Sequence, residues 1–406
     1  MPNMASGNLT SVLKPKKQLY LEFVRGIVAI LVFISHIIEV MPTDAQHPFL
    51  ISFVGTDSVM IFFLLSGCVI NISQSRKPKS KADFFINRLI RLFPQFILGV
   101  FLGMYALHAL KMALPSTGGI LGNFLMVSTL QGYFTKCIQT NSPIWTLTFE
   151  MFFYLLFILC IGGNTRKKIW AWFSLSLVAM IIYYFKPGTS LENQFIIILA
   201  FSSIWLIGYF VYEYRRYFYV GPYAALLSFG MLPMISRLHI FNMYYDPFNY
   251  FLFALMAVPF FRFCLHTEPR GFQVKTDYII PFYPLLAALI YFSPDNTRIS
   301  SRVLYMLLPL ALVGFYYIVS VLNLKDKCSN VVNKVGAVTG KYSYSLYIIH
   351  YPILNLCAGF FKNRVLYVII SLVVVTLVCY FLESIFQPAV VRFLKKKSEL
   401  RAQLAS

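Results

Sequence analysis

The strongest constraint on this chain is a series of up to twelve apolar segments separated by polar or basic stretches. Segments of about 20 apolar residues are long enough to cross the hydrocarbon core of a bilayer as α-helices. Two of the twelve are short, so the sequence predicts an all-α, polytopic membrane protein with about 10 to 12 transmembrane helices. The segments cover residues 19–41, 49–71, 92–110, 144–162, 169–185, 194–212, 218–235, 249–263, 278–293, 303–322, 343–361 and 365–386.

The net charge of +20 is better explained by membrane topology than by a nucleic-acid partner. If the N-terminus is cytoplasmic, the cytoplasmic segments hold 26 of the 35 Lys and Arg residues. Such a bias is typical of loops on the cytoplasmic side. We therefore predict cytoplasmic tails at 1–18 and 387–406, flanking a membrane domain at 19–386. The first tail lacks an apolar core, so no signal peptide is predicted.

Seven cysteines are scattered along the chain, and no pair has the spacing of a metal site. We expect them to be small core residues, and we expect no bound metal.

Ionisable residues inside the apolar segments are the candidates for function, because charge is costly there. Arg25 and His36 are 11 residues apart, which puts them on one helix face, about 16 Å apart along the axis. Counted from the outer ends of their segments, Asp57, Glu150 and His36 lie at about 12, 9 and 7 Å, so we expect them at one depth. The alternatives are that Arg25 reaches back to the cytoplasmic surface and that the others make helix-to-helix hydrogen bonds.

The loop SRKPKSKADFFINRLIRLFPQF carries six basic residues. Arg88 and Arg91 are three apart, on one face of an expected interfacial helix, and Pro94 stands where the next membrane helix would begin. The loop suits either anionic lipid or a multiply phosphorylated cytosolic ligand, since Arg is well shaped to bind phosphate.

Five stretches of the chain, taken together and in order, resemble the signatures of the membrane-bound acyltransferase family 3. They are EFVRG with the histidine that follows, GTDSVMIFFLLSGCVI, RLIRLFP, WTLTFEMFFY and GKYSYSLYIIHYP. The departures are mild: Glu22 replaces the usual aspartate, and Phe-Val replaces Gly-Leu. The matching residues are Arg25, His36, Asp57, Phe62, Phe63, Ser66, Gly67, Arg88, Arg91, Pro94, Trp145, Glu150, Tyr154, Ser343, Tyr344, Tyr347, His350 and Pro352.

The resemblance implies a membrane O-acyltransferase without an appended periplasmic hydrolase-like domain, in the bacterial cytoplasmic (inner) membrane. Its donor would be cytosolic acyl-CoA, most often acetyl-CoA. Its acceptor would be a hydroxyl of a cell-surface polysaccharide or a lipid-linked sugar, and membrane lipids would surround it. Arg25, Arg88 and Arg91 would hold the phosphorylated end of the donor.

In the same interpretation, His36 is the general base on the acceptor hydroxyl. Glu150 or Asp57 would orient it and stabilise its cation. Transfer could be direct, or it could pass through an acyl-enzyme on Ser66 or a histidine; both routes stay open. The residues expected to line the substrate cavity are Ser66, Trp145, Tyr347 and His350.

A secondary transporter or glycolipid flippase is the alternative function, since many helices with polar residues near the membrane interior fit that class as well. That class often shows two related halves. Here the ionisable residues are concentrated in the first four segments and near His350, which favours the enzyme.

Overall fold

A computed structural model describes residues 15–42, 49–129, 134–185, 191–238, 246–265, 274–275, 279–292 and 299–394. Most of both predicted tails, residues 1–14 and 395–406, lies outside these ranges. Within them the chain is almost entirely helical. The α-helices are α1 (Pro15–Val40), α2 (Phe49–Arg76), α3 (Lys81–Ala109), α4 (Thr117–Phe124), α5 (Trp145–Cys160), α6 (Thr165–Phe185), α7 (Leu191–Glu213), α8 (Pro222–Gly230), α9 (Leu232–Ser236), α10 (Pro247–Cys264), α11 (Ile279–Tyr291), α12 (Ile299–Val321), α13 (Lys325–Phe360) and α14 (Arg364–Phe381).

Other regular structure in the described residues is slight. A 3₁₀ turn at Gln139–Ile144 precedes α5, and a π-helical turn at Leu382–Phe386 follows α14. Two parallel pairs of two-residue strands complete it: β1 (Ser128–Thr129) with β2 (Thr135–Lys136), and β3 (Phe218–Tyr219) with β4 (Val274–Lys275).

Nine helices of the described residues are long and apolar enough to cross a membrane. Two shorter apolar stretches, Pro222–Ser236 and Ile279–Tyr291, and the second half of α13 account for the other predicted segments. The prediction of an all-α, polytopic membrane protein is therefore confirmed. The cytoplasmic position of the termini stays a prediction.

Helices α1 and α13 pack in parallel at close range. A Cβ atom added to Gly340 would lie 2.7 Å from the backbone oxygen of Glu22, and one added to Gly26 would collide with Thr339. Near their other ends, His36 meets His350. Because the residue numbers on both helices rise together, the face of α1 that carries Arg25 and His36 is turned toward α13.

Helices α2 and α7 also approach closely, through glycines. A Cβ atom on Gly67 would lie 1.9 Å from the carbonyl oxygen of Trp205, and one on Gly208 would lie 2.0 Å from that of Leu64. Only glycine fits such an approach without a shift of backbone. The contact brings the indole of Trp205 against Ser66.

Helix α3 differs from the prediction that a membrane helix begins near Pro94. It is one helix, and Pro94 lies inside it. Proline has no N–H, so the carbonyl four residues earlier, that of Ile90, loses its helical donor. The side-chain amide of Gln387, just beyond the π turn, donates to this oxygen at 2.9 Å. The tertiary contact replaces the missing bond, and the basic stretch continues directly into the membrane helix.

Candidate active site

An open cavity, about 840 Å³ when space continuous with its surroundings is included, lies between α1, α2, α3, α5 and α13. Apolar side chains form much of its wall, and polar side chains from all five helices complete it. Three of these polar residues are the arginines predicted to bind the acyl donor. The full set is Arg25, Ser66, Arg88, Arg91, Thr146, Glu150, Tyr154, Ser343, Tyr344 and Tyr347.

Arg25 is held on the wall by its own helix and by α13. Its Nη2 donates to the carboxylate of Glu22, one turn earlier, and to the backbone oxygen of Gly340 at 3.3 Å. Its Nε is buried and has no hydrogen-bond partner. Arg25 therefore has its hydrogen-bond partners on α1 and α13 and lines the cavity. Glu22, which differs from the family's usual aspartate, keeps the carboxylate beside the guanidinium.

The two arginines of α3 occupy the opposite wall. The guanidinium of Arg88 lies over the rings of Phe84 and Tyr154, with centroid distances of 5.5 and 5.6 Å. Arg91, one turn later, is exposed and marks the mouth of the cavity. The cavity therefore opens at a cationic entrance.

Ser66, Glu150 and Tyr154 form a hydrogen-bonded group on the wall. The Ser66 hydroxyl donates to Glu150 Oε1 at 2.9 Å, and the Tyr154 hydroxyl donates to the same oxygen. The indole N–H of Trp205 donates to Ser66 Oγ at 3.2 Å. The Ser66 proton is thus directed at a carboxylate. Trp205 was not predicted, because no motif connects it to Ser66 and only the glycine contact between α2 and α7 brings it there.

The expected common depth of Asp57, Glu150 and His36 is wrong for Glu150. Asp57 and His36 do lie near one level, since Gly55 packs against Ser35. Glu150, however, bonds to Ser66, nine residues or about 13.5 Å further along α2 than Asp57.

The segment before α5 explains this difference. Thr140 Oγ1 donates to the Gly103 carbonyl at 2.7 Å, and Asn141 Nδ2 donates to the Gly99 carbonyl at 3.0 Å. Both side chains are fully buried. The chain is therefore already buried before α5 begins, so the first residue of α5 does not mark the membrane surface.

His36 and His350 form a hydrogen-bonded pair beyond the cavity. His36 Nδ1 lies 2.7 Å from His350 Nε2, and His350 Nδ1 lies 2.9 Å from the Leu346 carbonyl. A carbonyl accepts only, so His350 Nδ1 carries the proton and its neutral ring accepts at Nε2. His36 must then donate from Nδ1, so in its neutral form it carries a lone pair on Nε2. That nitrogen lies 3.6 Å from a carboxylate oxygen of Glu39.

The predicted orientation of His36 by Glu150 or Asp57 is corrected by these contacts. The imidazole of His350 occupies the orienting position, and Glu150 is bonded elsewhere. Asp57 is buried and accepts from the Ser236 hydroxyl at 2.9 Å, so it has the contacts of a helix-to-helix hydrogen bond between α2 and α9.

Tyr347 separates the cavity from the histidine pair. Its hydroxyl lies 2.7 Å from Thr146 Oγ1 and donates to the Pro143 carbonyl at 2.9 Å. Its ring centroid lies 5.7 Å from that of Phe62 and 6.0 Å from that of His350. Tyr347 and Ser66 line the cavity as predicted, whereas His350 lies behind Tyr347.

Trp145, the other residue predicted to line the substrate cavity, is not part of its described wall. Its ring packs edge-on against Phe149 at a centroid distance of 5.2 Å. The residue therefore contributes to the packing around the first turn of α5.

Comparisons with known proteins identify the family. The model of acyltransferase family 3, described as an acyltransferase domain, matches residues 18–282. Nodulation protein 10 of Rhizobium leguminosarum bv. viciae is 34% identical over 91 residues, which are 22% of this chain and 22% of that protein. No solved structure matches the chain. The family match covers four of the five signatures and most of the membrane domain, and the chain therefore belongs to the acyltransferase 3 family.

Proposed function

We propose that this membrane acyltransferase is an O-acetyltransferase of the bacterial cytoplasmic membrane. It would move an acetyl group from cytosolic acetyl-CoA to a hydroxyl of a cell-surface polysaccharide or a lipid-linked sugar. One observation carries the proposal: Arg25 and His36 lie on one face of α1, with an arginine-lined cavity at the first and an oriented histidine pair at the second.

The cationic entrance suits the donor. Coenzyme A carries a diphosphate and a separate phosphate at one end, and guanidinium groups bind phosphate oxygens through paired, charge-assisted hydrogen bonds. Arg25, Arg88 and Arg91 approach the cavity from two helices, so they can contact phosphates at more than one position. The largely apolar wall beyond them suits the pantetheine arm, whose length is comparable to the roughly 16 Å between Arg25 and His36 along α1. To bring the thioester to His36, the arm would have to pass Tyr347, which separates the cavity from the histidine pair.

The histidine pair suits the acceptor. His36 Nε2 has the lone pair that a general base needs, and it removes the proton as the acceptor oxygen attacks the thioester carbonyl. The C–O bond forms, the C–S bond breaks, and the proton passes from His36 to the departing coenzyme A thiolate. His350 accepts from Nδ1 of His36 throughout and stabilises the imidazolium. The aspartate of a Ser-His-Asp triad has the same role toward its histidine. In this one-step route Ser66 is a wall residue rather than an acyl carrier.

Donor binding is the first test, because it does not depend on the identity of the acceptor. The thermal midpoint of the detergent-purified protein is measured with and without acetyl-CoA, in wild type, Arg25→Ala and Arg392→Ala. A ligand that binds only the folded state raises the midpoint according to its concentration over Kd. Arg25→Ala should weaken binding by about tenfold or more, since it removes a charge-assisted hydrogen bond. Arg392 is an exposed arginine outside both the cavity wall and the basic loop before α3, so Arg392→Ala should behave as wild type.

The outcomes separate the enzyme from its alternative. A shift that Arg25→Ala loses and Arg392→Ala keeps supports a coenzyme A site at the cavity. If the well-folded wild type shows no shift, acetyl-CoA is discarded as the donor, and a transporter or glycolipid flippase becomes the better interpretation.

A further inference from the structure

A second and larger hollow lies on another side of the helix bundle, between α6, α7, α10 and α11. It is an open hollow of about 1800 Å³, a volume that includes space continuous with its surroundings, and Arg262 is the one charged residue among the described residues of its wall. We call it the lateral groove. Its wall extends over α10 from Leu252 to Arg262 and over α11 from Ile279 to Leu289. Ten helical residues span about 15 Å, which is half the hydrocarbon thickness of a bilayer. The groove is therefore as long as one leaflet is deep.

One end of the lateral groove is cationic and aromatic. Arg262 lies in the last turn of α10 and is only 5% exposed. Arg215, just after α7 and outside the described wall, adds a second positive charge that acts on Arg262. Its Nη1 donates to the Tyr212 carbonyl at 2.6 Å, and its Nε is buried without a hydrogen-bond partner. Glu213 also acts on Arg215 electrostatically. A phosphate between Arg215 and Arg262 would offset their repulsion.

The same end has the features of a membrane interface. The indole N–H of Trp170 donates to the Tyr214 hydroxyl at 3.0 Å, and the Arg166 guanidinium donates to that hydroxyl at 3.1 Å. Trp and Tyr are enriched at the level of lipid headgroups. The distribution of Lys and Arg predicts that this end lies on the cytoplasmic side, where the leaflet carries anionic lipid.

We propose that the lateral groove binds one anionic glycerophospholipid of the cytoplasmic leaflet, with an acyl chain along the groove and its phosphate at Arg262 and Arg215. The length and the apolar wall of the groove match an acyl chain, and the charge at its end matches the phosphate. This site shares no wall residue with the arginine-lined cavity, so it is independent of the proposed donor site.

Native mass spectrometry of the delipidated, detergent-purified protein tests this proposal. The protein is titrated with phosphatidylglycerol or with phosphatidylcholine of the same acyl chains. Wild type should retain one phosphatidylglycerol with about tenfold higher affinity than phosphatidylcholine, because a guanidinium–phosphate contact is charge-assisted. Arg262→Gln should lose this preference. Lys167→Gln, which removes an exposed cation at the same end of α6, should keep it.

A second variant tests the groove independently of Arg262. Leu285→Trp places a larger side chain on the wall at a position that is 57% exposed, so the fold should tolerate it. It should lower retention of both lipids. Equal retention of the two lipids by wild type would show only general lipid contact and would overturn the proposal. A preference that survives in Arg262→Gln would also overturn it, as would full retention in Leu285→Trp.

Discussion

The two ends of the α1–α13 helix pair differ in how they are built. The arginine end is an open cavity with walls from five helices, and its cations come from both α1 and α3. The histidine end is a single chain of hydrogen bonds from His36 through His350 to the Leu346 carbonyl. In the proposed function, donor binding at the first end is shared among several groups, so loss of one should weaken it. The proposed chemistry at the second end depends on one nitrogen, so loss of that group should have a larger effect.

The largest effect is expected at His36. His36→Ala should lower acetyl transfer by about 10²- to 10⁴-fold, the contribution typical of a positioned general base. Its acetyl-CoA-induced thermal shift should persist, because the arginine end is intact. The measurement is incorporation of labelled acetyl groups into the carbohydrate fraction of membranes, with His108→Ala, an exposed histidine of α3, as the control. Full activity in His36→Ala would end its assignment as the base.

A smaller effect is expected at His350, because it acts through His36. His350→Phe should lower kcat by about 10²-fold, because it removes the acceptor of the His36 hydrogen bond, and that bond is strongest when His36 is an imidazolium. His350→Gln should recover part of the rate, because the amide oxygen can accept from His36 Nδ1. The KM for acetyl-CoA should stay unchanged in both variants. Equal loss in both would indicate that His350 serves packing instead of orienting His36.

The smallest effect is expected at Glu150, which the structure assigns to the arginine end. Glu150→Gln keeps an oxygen that can accept from Ser66 and Tyr154 but removes a negative charge from the cavity. The KM for acetyl-CoA should fall by about threefold, because like charges of carboxylate and phosphate no longer oppose each other. The pH profile of kcat, governed by His36, should not move. A displaced profile would show that Glu150 is coupled to the base after all.

Several features were determined by the sequence alone because they depend on local periodicity and composition. Length and apolarity of the segments specified a polytopic helical bundle, since a bilayer accepts little else. Helical spacing alone put Arg25 and His36 on one face. The motifs also identified Arg88, Arg91, Ser66 and Tyr347, which the structure brings to the same cavity as Arg25.

Other features were decided only by the tertiary structure, because they depend on contacts between residues far apart in the chain. The depth predicted for Glu150, counted from the outer end of its apolar segment, was wrong because the 3₁₀ turn before α5 is already buried. Pro94 continues a helix because Gln387 bonds to the carbonyl that proline leaves free. The partner of His36 is a histidine 314 residues away. A sequence pattern shows which side chains share a helix face. The packing of α1 against α13 decides which side chain accepts the hydrogen bond from His36.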